Sequence, residues 1–510
     1  MALPSPSRSR VFAWPLYPVA LCAWYVLSLW LNSSLDMPTL VRPLAIAAAL
    51  GLALTIVAVA VTRDVNLGGV VAGLVVLGLL GGDDSRVVLL TALGLVVLVL
   101  LAWRASTLGR LVRSPRLTSV LNVFAAALLV ILIATAGSQL LVGAGGSRVP
   151  LAVSSQATRT LPSIVVLLLD AHGRQDVLAD DYDEDISDFV SNLESRGFHV
   201  SSHSRSNYMS TQMTLASMLN MTHLSELGLP SQTDPAYLAG LRTRIERNAA
   251  FDLLRSVGYQ VESVSPGYEG VALRSADVYL DGGQVSELES ALLANSVAWQ
   301  GLSAAAPDAL ADQMRERVRW NLEADHWLPQ FGAMTGDGRP GLLFVHVPSP
   351  HPPYLFDRDG DRVFGRPVLV PEGQALPDLD EDSVAATAGA YAGQLAYVDS
   401  LTISALDKVI EAVPDDAVIL VMSDHGPDVH LDWSHLSAAN SVERFANFFA
   451  ARTPGFDRLF GESPTPVNVF RTLLNAYAGS QLSLEADSSF LGYPPDKALT
   501  DIGNPEADGH

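Results

Sequence analysis

The sequence predicts an α/β protein with a membrane-spanning N-terminal region, and three observations carry this prediction. Five apolar runs occupy the first 145 residues or so. After them, short apolar segments rich in β-branched residues alternate with segments of helical pattern. Two of the short segments end on the acidic residues Asp170 and Asp424, at the position where open α/β sheets place their ligands.

The five apolar runs predict a multi-pass membrane anchor. They lie at residues 13–31, 44–61, 67–80, 87–103 and 120–142. A span needs about 20 apolar residues, so the short, glycine-rich third run is the weakest of the five. Arginines precede the first run and separate the fourth from the fifth, and the positive-inside rule places both segments in the cytoplasm. These placements agree only if the third run also spans, and five spans leave the rest of the chain outside the cytoplasm. A cleaved signal peptide is the alternative for the first run, but no small-residue cleavage site follows it.

Charge divides the chain at the same place. The first 150 residues contain ten arginines, four aspartates and neither lysine nor glutamate, which gives a formal charge of +6. Subtracting this from the total of −22 leaves −28 for the remainder. Nucleic-acid phosphates require Lys and Arg, so this acidic region excludes nucleic acid as a partner. The only cysteine, Cys22, lies in the first apolar run, so we expect no disulfide in the outer region.

These features predict the order of the domains. We expect a cytoplasmic N-terminus at 1–12, a transmembrane region at 13–143, a linker at 144–162, a large α/β domain at 163–480 and a polar, poorly ordered tail at 481–510.

Within the large domain, the alternation of strands and helices predicts a mostly parallel sheet covered by helices on both faces. Strands are expected at Ile164–Leu169, 198–201, Gln260–Val264, 341–346 and 417–422. Helices are expected at 186–195, 248–257, 291–330 and 385–412, with another that begins near Thr211.

Asp170, Asp424 and His425 are candidate metal ligands. The strand at Ile164–Leu169 ends on Asp170, and the strand at 417–422 leads into Ser-Asp-His-Gly. Two carboxylates and an imidazole delivered to one edge of a sheet are typical of a metal site. The alternative is a chance Asp-His dipeptide at a strand end.

Thr211 is a candidate nucleophile. It falls at or near the start of a helix, where free backbone N–H groups and the positive dipole end favour an alkoxide or a bound phosphate. The alternative is that Thr211 only caps the helix. A divalent metal nearby would lower the pKa of its hydroxyl and make it a nucleophile.

In the order Asp170, Thr211, Asp424-His425-Gly426, the chain resembles the sulfatase and alkaline phosphatase superfamily. It is most similar to the membrane-anchored branch that contains lipoteichoic acid synthases and phosphoethanolamine transferases, and the resemblance covers about residues 160–480. The Pro-Ser-Arg that follows the nucleophile of sulfatases is absent after Thr211. A threonine cannot be oxidised to the formylglycine of sulfatases, whereas threonine is the nucleophile of the lipid-headgroup transferases.

The resemblance implies that Asp170, Thr211, Asp424 and His425 bind one divalent ion. Many sulfatases have a pair of acids where this chain has Asp170-Ala171, which indicates one ion rather than two. Three oxygens and one imidazole suit Mn²⁺ or Zn²⁺ in preference to Mg²⁺.

Histidines elsewhere are candidates for proton transfer or for contacting the phosphoryl oxygens. His351 lies in a proline-rich loop that resembles the substrate-facing segment of the family, whereas His346, still in the strand, is expected to be a core histidine. His435 fits the family's spacing after the metal histidine better than His430 does. A solvated loop histidine is the alternative for both.

The resemblance also implies a function. It indicates transfer of a phospholipid-derived headgroup, phosphoglycerol or phosphoethanolamine, through a covalent Thr211 intermediate to a hydroxyl of an envelope glycan or glycolipid. A membrane-anchored phosphatase, phosphodiesterase or sulfatase-like hydrolase is the first alternative. A catalytically inactive membrane-anchored binding protein is the second.

Overall fold

The computed structural model describes most of the chain, in two compact units. The described residues are 14–32, 37–80, 94, 108–142, 161–234, 236–282, 288–289, 292, 309–330, 339–363, 381–494 and 497–506. One unit comprises residues 1–145 and 285–310, and the other comprises 146–284 and 311–510. The predicted fourth apolar run, apart from residue 94, and the predicted N-terminal segment 1–12 lie outside the described residues.

The first unit is helical. Its helices are α1 (Tyr17–Asn32), α2 (Met37–Thr62), α3 (Val65–Leu80), α4 (Leu108–Val112) and α5 (Pro115–Val142). Two segments, Leu40–Thr62 and Pro115–Ala134, are long and apolar enough to cross a membrane, and α1 and α3 carry shorter apolar segments. Large apolar side chains of α2 and α5, such as Val61 and Ile131, are more than half exposed. An apolar surface of this kind is typical of helices that cross a membrane, and the number of spans stays a prediction.

A polar side chain of α5 forms hydrogen bonds with backbone groups at the start of α1. The Oδ1 atom of Asn122 accepts hydrogen bonds from the backbone N–H groups of Leu16 and Tyr17, both at 2.9 Å, and its Nδ2 atom donates to the carbonyl of Trp14 at 2.8 Å. The first N–H groups of a helix have no partner within the helix, and a bilayer core offers them no water. Asn122 therefore fastens α5 to the beginning of α1.

Residues 285–310 group with the first unit, although the sequence analysis placed them inside the domain at 163–480. Leu288 packs in an apolar cluster with side chains of α1 and α2. Beside it, Glu289 forms a salt bridge with Arg42 at 2.9 Å. Among its described residues, Leu288 and Leu292 thus pack with side chains of the first unit.

The second unit is built on a seven-stranded sheet. Its strands are β1 (Ile164–Leu169), β2 (His199–Val200), β3 (Gln260–Val264), β4 (Val278–Leu280), β5 (Gly341–Val347), β6 (Val418–Met422) and β7 (Phe449–Arg452). The strand order is β2-β7-β6-β1-β5-β3-β4. The neighbours from β6 to β4 pair in parallel, and only β7 runs antiparallel to its neighbours. The prediction of a mostly parallel sheet is confirmed.

Helices cover both faces of this sheet. They are α6 (Gln175–Tyr182), α7 (Ser187–Ser195), α8 (Thr211–Asn220), α9 (Ala236–Glu246), α10 (Ala249–Ser256), α11 (Ala309–Leu322), α12 (Glu381–Ala412), α13 (Val442–Phe445) and α14 (Val469–Tyr477). Successive residues of β1 point to opposite faces. Val165 and Leu167 join a core with side chains of α6, α7, α11 and α12, whereas Val166 and Leu168 join a core with α8, α9, α10 and α14.

Residues 481–510 differ from the expected poorly ordered tail. They contain two antiparallel strands, β8 (Ser489–Leu491) and β9 (Thr500–Gly503). The N–H of Phe490 donates to the carbonyl of Asn207 at 2.8 Å, and Phe490 stacks on Tyr208. The polar composition of the segment concealed the few apolar side chains that attach it to the loop before α8.

One buried carboxyl in the sheet predicts a pH-dependent stability. Glu262 of β3 is 1% exposed, and within the described residues neither of its carboxyl oxygens has a hydrogen-bond partner. Burial, with repulsion from Asp277, raises the pKa of Glu262 from 4.5 to about 7. The folded protein therefore keeps this proton up to about pH 7, whereas the unfolded chain loses it near pH 4.5, so stability is lost as pH rises between these values.

We expect Glu262→Gln to remove this loss. At pH 8 the variant should be more stable than wild type by about 1–3 kcal/mol, and near pH 4.5 the two should unfold at similar temperatures. Thermal unfolding of the full-length protein in detergent across this pH range would test the prediction. Parallel pH profiles for the two proteins would contradict it.

Candidate active site

Three neighbouring parallel strands, β6, β1 and β5, end at the same edge of the sheet. Asp170 follows β1, Asp424 and His425 follow β6 after one residue, and His346 is the next-to-last residue of β5. The parallel pairing places these strand ends side by side. The four residues are 5% exposed or less.

Asp170, Asp424 and His425 form a buried cluster in which one ligand atom from each lies within 4.8 Å of the others. Asp170 Oδ1 and Asp424 Oδ2 are buried without a hydrogen-bond partner in the described part of the chain. His425 Nε2 lies 3.1 Å from Asp424 Oδ2 and 3.7 Å from Asp170 Oδ1. Buried carboxylate oxygens are costly unless a partner or a cation satisfies them. Two carboxylates and an imidazole therefore fit a divalent metal ion.

The orientation of His425 also suits a metal ligand. Its Nδ1 atom lies 3.0 Å from the carbonyl oxygen of Gly426. Because that oxygen can only accept a hydrogen bond, Nδ1 carries the proton and Nε2 presents its lone pair to the cluster. Ligating histidines usually have their other ring nitrogen fixed in this way.

Thr211 is the first residue of α8 and is 2% exposed. The preceding residue, Ser210, caps the helix: its side chain accepts a hydrogen bond from the N–H of Met213 at 3.4 Å. Thr211 is therefore not the cap, which was the alternative interpretation of this residue. Its hydroxyl Oγ1 lies 3.2 Å from His425 Nε2.

Three histidines surround the carboxylate of Asp170. His346 Nε2 lies 3.3 Å from Asp170 Oδ2, and the backbone N–H of His351 donates to the Asp170 carbonyl at 3.0 Å. Burial alone would raise the pKa of Asp170, but interactions with His351, His346 and His425 lower it well below its usual range. Asp170 is therefore ionised at neutral pH and available to a cation.

His346 is buried, as expected of a core histidine, and its Nε2 atom lies close enough to Asp170 Oδ2 to place the ring beside the cluster. His351 lies where the sequence placed it, beside the cluster, with its ring centroid 6.3 Å from that of His425. The Nδ1 atom of His351 donates to the carbonyl of Pro352 at 2.8 Å, so Nε2 carries the lone pair. Gln394 of α12 fixes the loop by donating to the carbonyl of His351 at 3.2 Å.

The structure does not bring His435 to the cluster. Its side chain is 85% exposed, and its Nδ1 atom pairs with Asp432 Oδ2 at 2.9 Å. The backbone N–H of His435 also bonds to Asp432, in a turn that directs the ring to solvent. His430 lies 3.3 Å from Glu443 Oε1, and this hydrogen bond raises the pKa of His430. The prediction from sequence spacing that His435 lies at the site is therefore wrong, because this residue lies in a turn on the surface.

Two further features were missed by the sequence analysis. Arg444 of α13 is fully buried, and its Nη2 atom lies 3.2 Å from His425 Nε2. Two residues after Asp170, His172 Nε2 lies 2.8 Å from Asp399 Oδ1 of α12, with both side chains buried. Neither contact belongs to a short motif, because Arg444 follows His425 by 19 residues and Asp399 follows His172 by 227.

Gly426 of the Ser-Asp-His-Gly run is required by close packing. A Cβ atom at this position would lie 2.1 Å from the carbonyl oxygen of Glu443 and 2.7 Å from that of Ala446. The N–H of Gly426 donates to the carbonyl of Arg444 at 2.8 Å. The absence of a side chain lets the backbone after His425 pack directly on α13.

A comparison with models of known protein families identifies the family of this chain. The family model described as Sulfatase matches residues 162–444, which is more than half of the 510 residues. No match was found among curated proteins.

Three solved structures illustrate the fold similarities. The chain is similar to the C-terminal periplasmic domain of EcEptC from Escherichia coli, with 15% identity over 70% of this chain and 97% of that chain and a TM-score of 0.44. It is also similar to the integral membrane protein lipooligosaccharide phosphoethanolamine transferase A from Neisseria meningitidis, with 14% identity, 77% and 69% coverage and a TM-score of 0.40. A 2-O GAG sulfatase matches with 14% identity, 64% and 72% coverage and a TM-score of 0.41.

We expect Gly426→Ala to disrupt the metal cluster. The methyl group would push the backbone after His425 away from α13, with a loss of about 1–3 kcal/mol of stability that is typical of overpacking. Gly389→Ala, in α12, is the matched control because its Cβ would meet nothing within 4 Å. The melting temperature and bound-metal content of both full-length variants would test this. Wild-type metal content in Gly426→Ala would contradict it.

Proposed function

This chain belongs to the sulfatase family, and we propose that it is a membrane-bound, metal-dependent transferase of phospholipid headgroups. It would move a phosphoglycerol or phosphoethanolamine group to a hydroxyl of an envelope glycan or glycolipid. The observation that carries the proposal is the position of the Thr211 hydroxyl. It is buried at the first residue of α8, and it lies 3.2 Å from His425 Nε2. The apolar helices of the first unit support a lipid substrate, because they would anchor the chain in a membrane.

Asp170, Thr211, Asp424 and His425 are the proposed ligands of one divalent ion, Mn²⁺ or Zn²⁺. When bound, the ion supplies Lewis-acid chemistry, since it lowers the pKa of the Thr211 hydroxyl and offsets charge on the phosphoryl oxygens. The residue after Asp170 is Ala171, whose N–H donates to Asp424 Oδ1 at 3.2 Å. Because residue 171 is an alanine, it provides no second carboxylate after Asp170, and this supports a single ion.

In the proposed first step, Thr211 Oγ1 attacks the phosphorus of the lipid headgroup. The Oγ1–phosphorus bond forms as the bond between phosphorus and the lipid alcohol oxygen breaks. The Thr211 hydroxyl proton would leave to solvent before the attack, and His351, once protonated from solvent at Nε2, would donate that proton to the leaving alcohol. The N-terminal end of α8 would stabilise negative charge that develops on the phosphoryl oxygens.

In the second step, the hydroxyl of the acceptor attacks the phosphorus of phospho-Thr211. His351, neutral again after the first step, would remove the proton from that hydroxyl as the Oγ1–phosphorus bond breaks, and the Thr211 oxygen would regain a proton from solvent. Water in place of the acceptor would give hydrolysis by the same residues. The proposed reaction takes place on the extracytoplasmic side of the membrane, where both the lipid and the acceptor would be present.

We expect a covalent headgroup adduct on Thr211. The full-length protein in detergent would be incubated with Mn²⁺ or Zn²⁺ and a panel of phospholipids, and peptides containing residue 211 would be mapped by mass spectrometry. The adduct mass would identify the headgroup. Thr211→Ala should carry no adduct and lose at least about 10³-fold in turnover, as expected when a nucleophile is removed. Released headgroup without any adduct would favour a hydrolase, and unchanged turnover in Thr211→Ala would exclude Thr211 as the nucleophile.

We also expect the two candidate histidines to differ. His351→Ala should lower kcat by about 10²–10⁴-fold, as for other general acid–base residues. His435→Ala should change kcat by less than about threefold, because this side chain is exposed and paired with Asp432. Steady-state transfer assays on both variants would test this order. A larger loss in His435→Ala would restore His435 as the acid–base residue.

A further inference from the structure

Arg444 carries a buried charge, and metal binding by Asp170, Asp424 and His425 does not explain why this charge is there. It lies on α13 and is 0% exposed. Removing a guanidinium group from water is costly, and it is tolerated only where hydrogen bonds and opposite charge compensate. The groups around Arg444 therefore indicate what it serves.

Two backbone carbonyls and one aromatic ring hold the guanidinium group in place. Its Nε atom donates to the carbonyl of Met209 at 2.7 Å, and its Nη1 atom donates to that of Gly426 at 3.2 Å. The centre of the group lies 5.7 Å from the ring of Trp433. Met209 lies two residues before Thr211, and Gly426 directly follows His425. Arg444 therefore joins the two loops that carry the nucleophile and the metal histidine.

These contacts place the Nη2 group of Arg444 close to His425 and Thr211. The Nη2 atom of Arg444 lies 3.2 Å from His425 Nε2, and the hydroxyl of Thr211 lies 3.2 Å from the same nitrogen. Asp428 lies 3.6 Å from Nη1, on the other amino group. His425 Nε2 has one lone pair, so it cannot serve a metal ion and still accept hydrogen bonds from both Thr211 and Arg444.

We propose that Arg444 Nη2 binds a non-bridging oxygen of the phosphoryl group that is transferred to Thr211. This proposal rests on the proposed function. Two carboxylates, Asp170 and Asp424, match the charge of one divalent ion, and Asp428 lies beside Nη1 of Arg444. The Nη2 group on the other side of the guanidinium lies next to His425, where an anionic substrate would meet it. Guanidinium N–H groups form short, strong hydrogen bonds to phosphate oxygens. Arg444 would thus be a catalytic residue that the sequence motif does not contain.

The test separates phosphate binding from metal binding. Calorimetric titration of the full-length protein in detergent would give the affinity for Mn²⁺, and titration of the Mn²⁺-loaded protein with inorganic phosphate would give the affinity for the anion. We expect Arg444→Gln to bind Mn²⁺ within about threefold of wild type but phosphate about 10–100-fold more weakly, as for loss of a charged hydrogen bond. Arg444→Lys should recover only part of the phosphate affinity, because lysine lacks the planar fork.

Arg471 provides a matched control. It is also buried, and its Nε atom donates to a backbone carbonyl, that of Met221, at 2.6 Å, but it pairs with Glu485 instead of the cluster. Arg471→Gln should keep both affinities.

Each other outcome overturns the proposal. Phosphate affinity unchanged in Arg444→Gln would remove Arg444 from the anion site. Loss of Mn²⁺ affinity in both Arg444 variants would make Arg444 a positioning residue for His425. Equal loss of phosphate affinity in Arg471→Gln would make the effect a general one of buried arginines. The titrations require no turnover, so the two failures can be told apart: a wild-type protein without a Thr211 adduct would reject the transferase proposal, whereas phosphate binding by Arg444 is judged by the titrations alone.

Discussion

Two buried carboxylates at the ends of neighbouring strands impose the main electrostatic constraint on this protein. The central strands β1 and β6 place Asp170 beside Asp424 because their apolar side chains pack in the core, whatever the charges at their ends. Repulsion between carboxylates is strong where water is excluded. The surrounding histidines offset it only in part, since one oxygen of each carboxylate has no hydrogen-bond partner within the described residues. Cation binding at this edge is thereby linked to the stability of the sheet.

The helix that carries Thr211 depends on the same edge. Ser210 takes the capping role, and this leaves the Thr211 hydroxyl directed at His425 instead of at its own helix. Because Ser210 caps α8, the hydroxyl of Thr211 is left to link the start of this helix to the residues that follow β6. Gly426 completes the arrangement, because its missing side chain lets α13 approach and place Arg444 beside both.

The sequence predicted the central strands well because each is an apolar segment bounded by polar residues. Asp170, Asp424 and His425 could be assigned to one edge because the carboxyl ends of parallel strands meet there. Arg444 could not be predicted, since its position depends on a four-residue helix that packs against Gly426. His435 was placed by spacing alone, and a turn stabilised by Asp432 directs it to solvent instead.

The pairing of β8 with the loop before α8 also bears on the order in which the protein assembles. Ser489 Oγ donates to the carbonyl of Ser206 at 2.8 Å, across a separation of 283 residues along the chain. Ribosomes add about 5–20 residues per second, so this brace is synthesised tens of seconds after the loop that it holds. During that interval the segment leading to Thr211 lacks one of its supports. The surroundings of Thr211 are therefore complete only after most of the α/β unit has been synthesised.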